Sequence, residues 1–344
     1  MALFSRRRET APIEGVDVVL ADLDGVVYAG AGALPHAVES LNRARPGRTL
    51  AYITNNASRT DASVAAHLSE LGLPTAAGDV VTSPQAAMRL LAERLSPGAT
   101  ILVVGGEGLV TEVEKAGFVV TRSAQDAPAA VVQGFAPEVG WTQLAEAAFA
   151  LKVPEDEGGI PWIATNTDWT IPQARGIAPG NGTLVSAVHT AVGRLATVAG
   201  KPETPIFEEA IARFGARHPL FLGDRLDTDI LGATRAGIPS ALVITGIDRP
   251  KHVLAAPAGS QPTFILGDLR ELHEPYPEVR VGEGEATVRG ATVRIDGPDV
   301  RIVSSGDQPI DLLRAGAAAI WSTGRAIFGF RVPEELYADP FHRP

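Results

Sequence analysis

The chain has 344 residues, 45% hydrophobic and 20% charged, which is too long for one ordinary α/β core and apolar enough for a folded protein of two or three domains. Its 30 Lys and Arg against 40 Asp and Glu leave a formal net charge of −10, which disfavours a general binder of nucleic acid or anionic membrane, since those need a basic face. The absence of cysteine excludes disulfides, zinc–thiolate sites and cysteine nucleophiles, and makes a reducing cytoplasm the expected compartment.

The chain begins with a short basic stretch containing Arg6-Arg7-Arg8. No apolar run long enough for an export-signal core follows it, so residues 1–12 read as a flexible tail. No later stretch reaches transmembrane length. Residues 16–21 are continuously apolar apart from Asp17 and read as a buried strand, ending at Asp22-Leu23-Asp24-Gly25-Val26-Val27-Tyr28. Open α/β sheets bind ligands at this carboxyl edge of their strands. Two carboxylates two residues apart can share a cation, or divide a reaction so that one attacks or ligates while the other moves a proton. A polar turn without chemistry is the alternative. An EF-hand calcium loop is excluded, because the glycine comes fourth rather than sixth and position twelve is Ala33 instead of a glutamate.

A helix follows, and then Leu50-Ala51-Tyr52-Ile53 reads as a second strand that stops at Thr54-Asn55-Asn56-Ala57-Ser58. The hydroxyl and amides of that segment can donate to an oxyanion, although Thr54 could equally cap a helix. A further helix leads to Thr82-Ser83-Pro84. Residues 84–199 then form a second α/β unit, with strands at 100–104, 117–120, 129–132 and 161–164 and helices such as 85–95 and 141–151. Within it, Val103-Val104-Gly105-Gly106-Glu107-Gly108 is similar to a dinucleotide fingerprint, but Thr111 stands where the third glycine belongs, and a tight strand-to-helix turn suffices. The segments Ala164-Thr165-Asn166-Thr167-Asp168-Trp169 and Ile177-Ala178-Pro179-Gly180-Asn181-Gly182 offer hydrogen bonds that can read a small polar group. Asn166, Asp168 and Asn181 are the candidates there, with a capped turn and a packed tryptophan as the alternative. His189 lies in a helical stretch and is read as structural.

From residue 200 the first pattern returns. Gly200-Lys201-Pro202 precedes a helix at 205–214, placing Lys201 near a helix start that favours anions, or else on the solvated surface. Strands follow at 220–222, 240–243 and 263–265, and the first of them runs into Gly223-Asp224-Arg225-Leu226-Asp227-Thr228-Asp229-Ile230. Each polar cluster has a plain structural reading by itself. Four of them at four successive element ends instead compose one phosphate and metal site. Pro275-Tyr276-Pro277 reads as a linker, residues 279–303 alternate as short antiparallel strands, and 311–325 form an alanine-rich helix.

In order, Asp22-x-Asp24-Gly25, Thr54-Asn55-Asn56, Lys201-Pro202 and Gly223-Asp224-(x)4-Asp229 resemble the four motifs of the haloacid dehalogenase superfamily of phosphohydrolases. The forms Asp-Gly-Val-Val-Tyr and Thr-Asn-Asn look like the branch containing NagD-like and 4-nitrophenylphosphatase-like enzymes. The C-terminal length resembles the actinobacterial glycerol 3-phosphate phosphatases, whose last region looks like a truncated acetyltransferase-type fold. No pyrophosphate-binding loop of that fold stands in this chain, so the region is expected to pack or interact rather than to catalyse.

The resemblance implies an α/β fold, with a Rossmann-like doubly wound parallel core, an inserted α/β cap domain and a small α+β C-terminal region. Its domains would be 13–83 with 200–272 as core, 84–199 as cap and 273–344 as extension. Asp22 would be the nucleophile, forming an aspartyl-phosphate, and Asp24 the general acid and base. Thr54 and Lys201, with Asn55 and Asn56 beside them, would bind phosphate. Magnesium would be held by Asp22, the Asp24 carbonyl and Asp224, supported by Asp229. Apart from the resemblance, the acidic balance of the chain requires phosphate to be bound locally, through magnesium, Lys201 and either Arg59 or Arg225. The expected activity is magnesium-dependent hydrolysis of a small phosphomonoester, glycerol 3-phosphate first. Phosphoglycolate, pyridoxal phosphate, nucleoside monophosphates and sugar phosphates are the alternatives, followed by a phosphomutase and by a metabolite-binding regulator without turnover. Beyond the metabolite, the expected partner is at most a second copy in a homodimer, with neither nucleic acid nor membrane. Removal of residues 273–344 is expected to leave the chemistry in place.

Overall fold

The computed structural model describes residues 9–173 and 175–339, so most of the expected tail, residues 1–8 with the three arginines, lies outside the described residues. The chain divides into two compact units, Met1–Leu50 with Ala216–Pro344, and Ala51–Gly215.

In the first unit, Val18–Ala21 is a strand of four buried apolar residues without alternation, the pattern of a parallel strand covered on both faces. It pairs in parallel with Pro219–Gly223, which pairs with Ser240–Val243, which pairs with Phe264–Leu266. Because all four run the same way, their carboxyl ends share one edge. Asp22, Asp224 and the segment from Ile244 to Asp248 therefore leave three neighbouring strands side by side. The helix Ala37–Ala44 buries Ala37, Ser40, Leu41 and Ala44, a spacing that makes one helical face.

The C-terminal residues of this unit form an antiparallel sheet of Val279–Gly282, Glu285–Val288, Ala291–Asp296 and Asp299–Ser305, crossed by the helix Pro309–Trp321. Ala286, Val288, Ala291 and Val293 point inward by strand alternation, and the helix lays Ile310, Leu313, Ala317 and Ile320 on them. The same apolar cluster includes Ile230, Leu242, Ile244, Val253 and Ile265 from the parallel part. The extension thus shares one continuous core with Ser240–Val243 and Phe264–Leu266 of the parallel sheet.

In the second unit, Thr49–Thr54 pairs in parallel with Val80–Thr82. Thr82 caps the following helix, Ser83–Ala92, in a reciprocal box with Gln85. A five-stranded parallel sheet follows in the order Thr197–Val198, Trp162–Ala164, Ala130–Gln133, Thr100–Val104, Val119–Thr121. The helices Trp141–Ala150 and Asn181–Val192 cover one face through a core containing Leu102, Val131, Trp162, Val185 and Val188. The strand expected at 117–120 starts later, because Gly117, at φ 80°, is still leaving the helix Glu107–Lys115. The segment after Trp169 is a hairpin, Thr170–Gln173 with Gly176–Pro179, where the sequence reads as a turn. The glycine of the apparent nucleotide fingerprint has a packing cause: a Cβ on Gly108 would lie 2.9 Å from the carbonyl oxygens of Ala57 and Arg59. Among the described residues, no helix is long and apolar enough to cross a membrane.

Candidate active site

The first unit supplies a carboxylate cluster. Asp22 directly follows Val18–Ala21 and is fixed by its backbone N–H, which donates to Leu222 O at 2.8 Å. The chain then turns tightly, with the Leu23 carbonyl accepting from Val27 N at 2.8 Å and Gly25 N donating to Tyr28 O at 2.9 Å. Gly25 has φ 82°, a conformation that residues with a Cβ rarely adopt. The turn leaves Asp22 buried and Asp24 exposed. Two adjacent carboxyl groups therefore stand in different environments, as a division of labour between an ionised group and a proton carrier requires.

Asp224 and Asp229 complete the cluster. Asp22, Asp224 and Asp229 are all buried, and each offers an oxygen within 4.8 Å of the others. Asp229 folds back along a widened helical turn, Leu226–Ile230, so that its Oδ2 accepts the backbone N–H of Asp224 at 3.1 Å and of Arg225 at 3.2 Å. Gly223 makes the space for this, since a Cβ there would collide with the Asp229 carboxylate. Three buried carboxylates this close repel one another and demand a cation. An all-oxygen donor set suits a hard ion, and the site fits magnesium. The Arg225 guanidinium is bound to Asp227 at 2.8 Å.

The sequence reading passes over the segment after Ser240–Val243. Thr245 Oγ1 donates to Gly25 O at 2.7 Å, and Ile247 N donates to Asp224 Oδ2 at 2.7 Å. Asp248 Oδ2 accepts Leu226 N at 2.5 Å, and burial raises the pKa of that carboxyl above the ordinary range. The signal that could have found this segment is the one used elsewhere: a polar residue and a glycine at the end of a buried strand.

The second unit supplies a polar cluster around Asn55. Thr54 ends its strand buried, and its hydroxyl accepts Asn56 N at 3.1 Å. Asn56 in turn accepts Ser58 N at 2.9 Å, forming a side-chain-closed turn. Asn55 Oδ1 accepts Lys201 N at 2.8 Å, while its Nδ2 donates to Lys201 O at 3.0 Å and to the Asp168 carboxylate at 3.2 Å. Asn166 Nδ2 donates to Asn55 O at 2.8 Å, and Asn181 Nδ2 to Asn166 O at 2.7 Å. Gly200 permits the approach, since a Cβ there would lie 2.5 Å from Asn55 Oδ1. The structure therefore brings Asn55, Asn166, Asp168, Asn181 and Lys201 into one network. Lys201, Asn166 and Asn181 are buried in it, whereas Trp169 is 66% exposed. His189 bonds to Arg194 O at 2.9 Å, which agrees with a structural role.

Comparison with known proteins adds an independent line. The pattern of the haloacid dehalogenase-like hydrolases matches residues 19–119, and that of the HAD-hydrolase-like family matches residues 198–272. The chain is 42% identical over 320 residues to the D-glycerol 3-phosphate phosphatase of Mycobacterium tuberculosis, covering 90% of this chain and 87% of that protein. It superposes with a TM-score of 0.84 on the crystal structure of the Mycobacterium tuberculosis glycerol phosphate phosphatase in complex with magnesium, at 40% identity and 94% coverage of both chains. The 4-nitrophenylphosphatase of Thermotoga maritima gives a TM-score of 0.69 at 27% identity, over 76% of this chain and 98% of that one. With its parallel strand ends, its carboxylate cluster and these likenesses, the chain belongs to the haloacid dehalogenase-like hydrolases and is a phosphatase of the NagD-like and 4-nitrophenylphosphatase-like branch.

Proposed function

We propose that the chain is a magnesium-dependent phosphomonoesterase for a small phosphorylated metabolite, with glycerol 3-phosphate as first substrate. The observation that carries the reading is the buried cluster of Asp22, Asp224 and Asp229 beside the exposed Asp24. The substrate follows the similarity to a D-glycerol 3-phosphate phosphatase over 90% of the chain. Residues 13–83 and 200–272 form the catalytic core in this reading, 84–199 an inserted cap and 273–344 an extension.

Asp22 attacks phosphorus through a carboxylate oxygen as the bond to the leaving oxygen breaks, giving an aspartyl-phosphate. Asp24 donates its proton to that leaving oxygen, then takes one from the water that hydrolyses the intermediate to phosphate and free Asp22. Thr54 and Lys201 hold phosphoryl oxygens, with Asn55 and Asn56 shaping their segment. Asp22, the Asp24 carbonyl and Asp224 hold the magnesium, and Asp229 supports them. When bound, magnesium neutralises the charge that would otherwise keep a carboxylate from an anionic ester. In the cap, Asn166, Asp168 and Asn181 shape the region that reads the alcohol. The proposed assembly is at most a homodimer, which light scattering tests.

The deciding experiment is phosphate release from a panel of small phosphomonoesters, with magnesium or EDTA, by wild type and Asp22→Asn. Magnesium-dependent release that Asp22→Asn lacks, fastest on glycerol 3-phosphate, is the expected result. A faster panel member replaces the substrate. Turnover by Asp22→Asn near wild type overturns the nucleophile, and no release from any ester favours a binding protein or a mutase.

A further inference from the structure

The turn Gly105-Gly106-Glu107-Gly108 has no part in the phosphatase site, but its place in the second unit's parallel sheet is a special one. The chain enters that sheet at Thr100–Val104, lays its second strand, Val119–Thr121, on one side and crosses to the other side for its third, Ala130–Gln133. Right-handed crossovers then send the helices Glu107–Lys115 and Trp141–Ala150 to opposite faces. The crevice between their first turns, at the carboxyl ends of Thr100–Val104 and Ala130–Gln133, is where doubly wound sheets bind ligands.

A cavity of about 460 Å³ lies there, with Gly105, Gly106, Arg122, Glu138, Thr142 and Glu146 in its walls. That is ample for a small molecule. Two side chains at this edge are not used up by the fold. Arg122 Nη1 donates to Val103 O at 2.6 Å and to Gly105 O at 2.9 Å, which fixes the guanidinium beside the turn, while Nε and Nη2 have no partner and no carboxylate pairs with them among the described residues. Burial lowers the Arg122 pKa from its ordinary value, opposed by the charge of Glu107, so the cation is partly desolvated without a bound counter-ion. Gln133, the last residue of its strand and the partner of Val104, is fully buried, and neither atom of its amide is hydrogen-bonded among the described residues. Beside Arg122, the helix Glu107–Lys115 starts at Gly106 without a side-chain cap, an arrangement that favours an anion. On the other wall Glu146 is held by accepting Ala124 N at 2.6 Å, and Glu138 is exposed.

We propose that this crevice is a second binding site, separate from the carboxylate cluster, for a small hydroxylated phosphate ester that regulates turnover. The phosphoryl group sits against Gly105, Gly106 and the free edge of the Arg122 guanidinium, and the hydroxyls of the ester donate to Glu138 and Glu146. Inorganic phosphate lacks that hydroxylated body and faces the same two glutamates, so it binds less well. A single phosphoryl group suits a turn in which Thr111 replaces the third glycine of a dinucleotide fingerprint. The route to turnover is the helix itself, because a Cβ on Gly108 would lie 2.9 Å from the carbonyl oxygens of Ala57 and Arg59, and that segment continues from Asn55, which bonds Lys201. Binding at the crevice stands apart from the phosphatase reading, whereas its effect on turnover rests on it.

The test is calorimetric titration of the full chain in EDTA, where the uncompensated carboxylate cluster repels anions, with inorganic phosphate, adenosine 5′-monophosphate and glycerol 3-phosphate in turn. Wild type, Arg122→Gln and Thr142→Trp are compared, with melting as a control on folding. Wild type is expected to bind an ester more tightly than inorganic phosphate, and the tighter ester tells a nucleotide from a polyol source. Arg122→Gln should weaken binding about tenfold or more, as loss of a charge-assisted contact does. Thr142→Trp, at an exposed position on the rim, should block the cavity, and it decides the matter if Arg122→Gln does not fold. No binding of any of the three probes overturns the site, and so does unchanged affinity in the folded variants. Inorganic phosphate binding as tightly as both esters overturns the role of the glutamates. In magnesium, the tighter ester should change kcat for 4-nitrophenyl phosphate in wild type and not in Arg122→Gln, whereas competition at the active site would raise KM alone in both. Binding without a change in kcat overturns the regulatory role. Absence of any magnesium-dependent release is a different result, since it removes the phosphatase reading and leaves the titrations standing.

Discussion

Asn55 shows how a motif residue can act through its neighbours. Its side chain accepts Lys201 N and donates to Lys201 O and Asp168, so the amide that could have faced an oxyanion is engaged by protein. Asn55→Ala would leave the backbone N–H of the buried Lys201 without this acceptor, at a cost of about 1–3 kcal/mol. Urea unfolding should register that loss together with reduced phosphate release, because Lys201 is no longer fixed. Unchanged stability with lost turnover would instead make Asn55 a direct phosphate contact. The sequence alone marks Asn55 as a polar donor at a strand end, but its partner stands 146 positions downstream, and only the folded chain brings the two together. Asp22, Asp24 and Asp224 were legible for the opposite reason. Asp22 directly follows an apolar run, Asp24 stands two residues on, and Asp224 lies one glycine past another such run; acidic groups at strand ends are conspicuous without knowledge of any partner. Thr245 and Gly246 stand at such an end too, yet a threonine and a glycine also make an ordinary turn, and their meaning lies in contacts with Gly25 and Asp224.

Elements were legible where periodicity is strong and obscured where the partner or the turn decides. The strand Ser240–Val243 and the helix Pro205–Phe214 lie where their apolar patterns place them. The exposed hairpin Thr170–Gln173 with Gly176–Pro179 escapes detection, because it contains two prolines and a glycine and has little apolar face to reveal it. Pairing between distant strands also uses polar groups that the sequence does not mark. Asp17, just before Val18–Ala21, accepts Arg217 N at 2.8 Å and His218 N at 2.9 Å just before the neighbouring strand. Burial by itself would raise the Asp17 pKa, but these two N–H donors, together with the residue's own N–H and the nearby His218, outweigh it and hold the carboxyl below the ordinary range. A lowered folded-state pKa means that the unfolded chain binds the proton more readily. The contribution is therefore present above the ordinary carboxylate pKa of about 3.9 and lost as pH falls through the lower folded value. Asp17→Asn should cost stability at neutral pH and flatten the acid limb of a stability–pH profile measured by urea unfolding. A limb as steep as that of wild type would assign acid sensitivity to other carboxylates.

At the scale of the molecule, the extension decides whether the strands Ser240–Val243 and Phe264–Leu266 have a complete core. Alternation in residues 279–303 announces antiparallel strands, but not what their apolar face covers, so the sequence leads only to the expectation that the region packs or interacts. The buried Arg314 shows how tightly the parts are joined. It donates to Ile265 O at 2.7 Å, pairs with Asp311 at 2.9 Å and with Glu271, and lies 4.5 Å from the Tyr276 ring centre. Ile265 belongs to the parallel sheet and Asp311 to the C-terminal helix, so one guanidinium links the two. Breaking a buried pair by removing one partner costs about 3–5 kcal/mol, since the remaining charges stay buried. Arg314→Met should lower stability by that order in urea unfolding, while the Mg2+ affinity of the still-folded fraction stays near wild type. Truncation after residue 272 should go further. It removes the cover of Leu242, Ile244 and Ile265, and it should yield insoluble or molten protein instead of a smaller active enzyme. A soluble truncated chain that melts cooperatively and binds Mg2+ like wild type would make the extension an independent appendage and place the cause of its presence outside the fold.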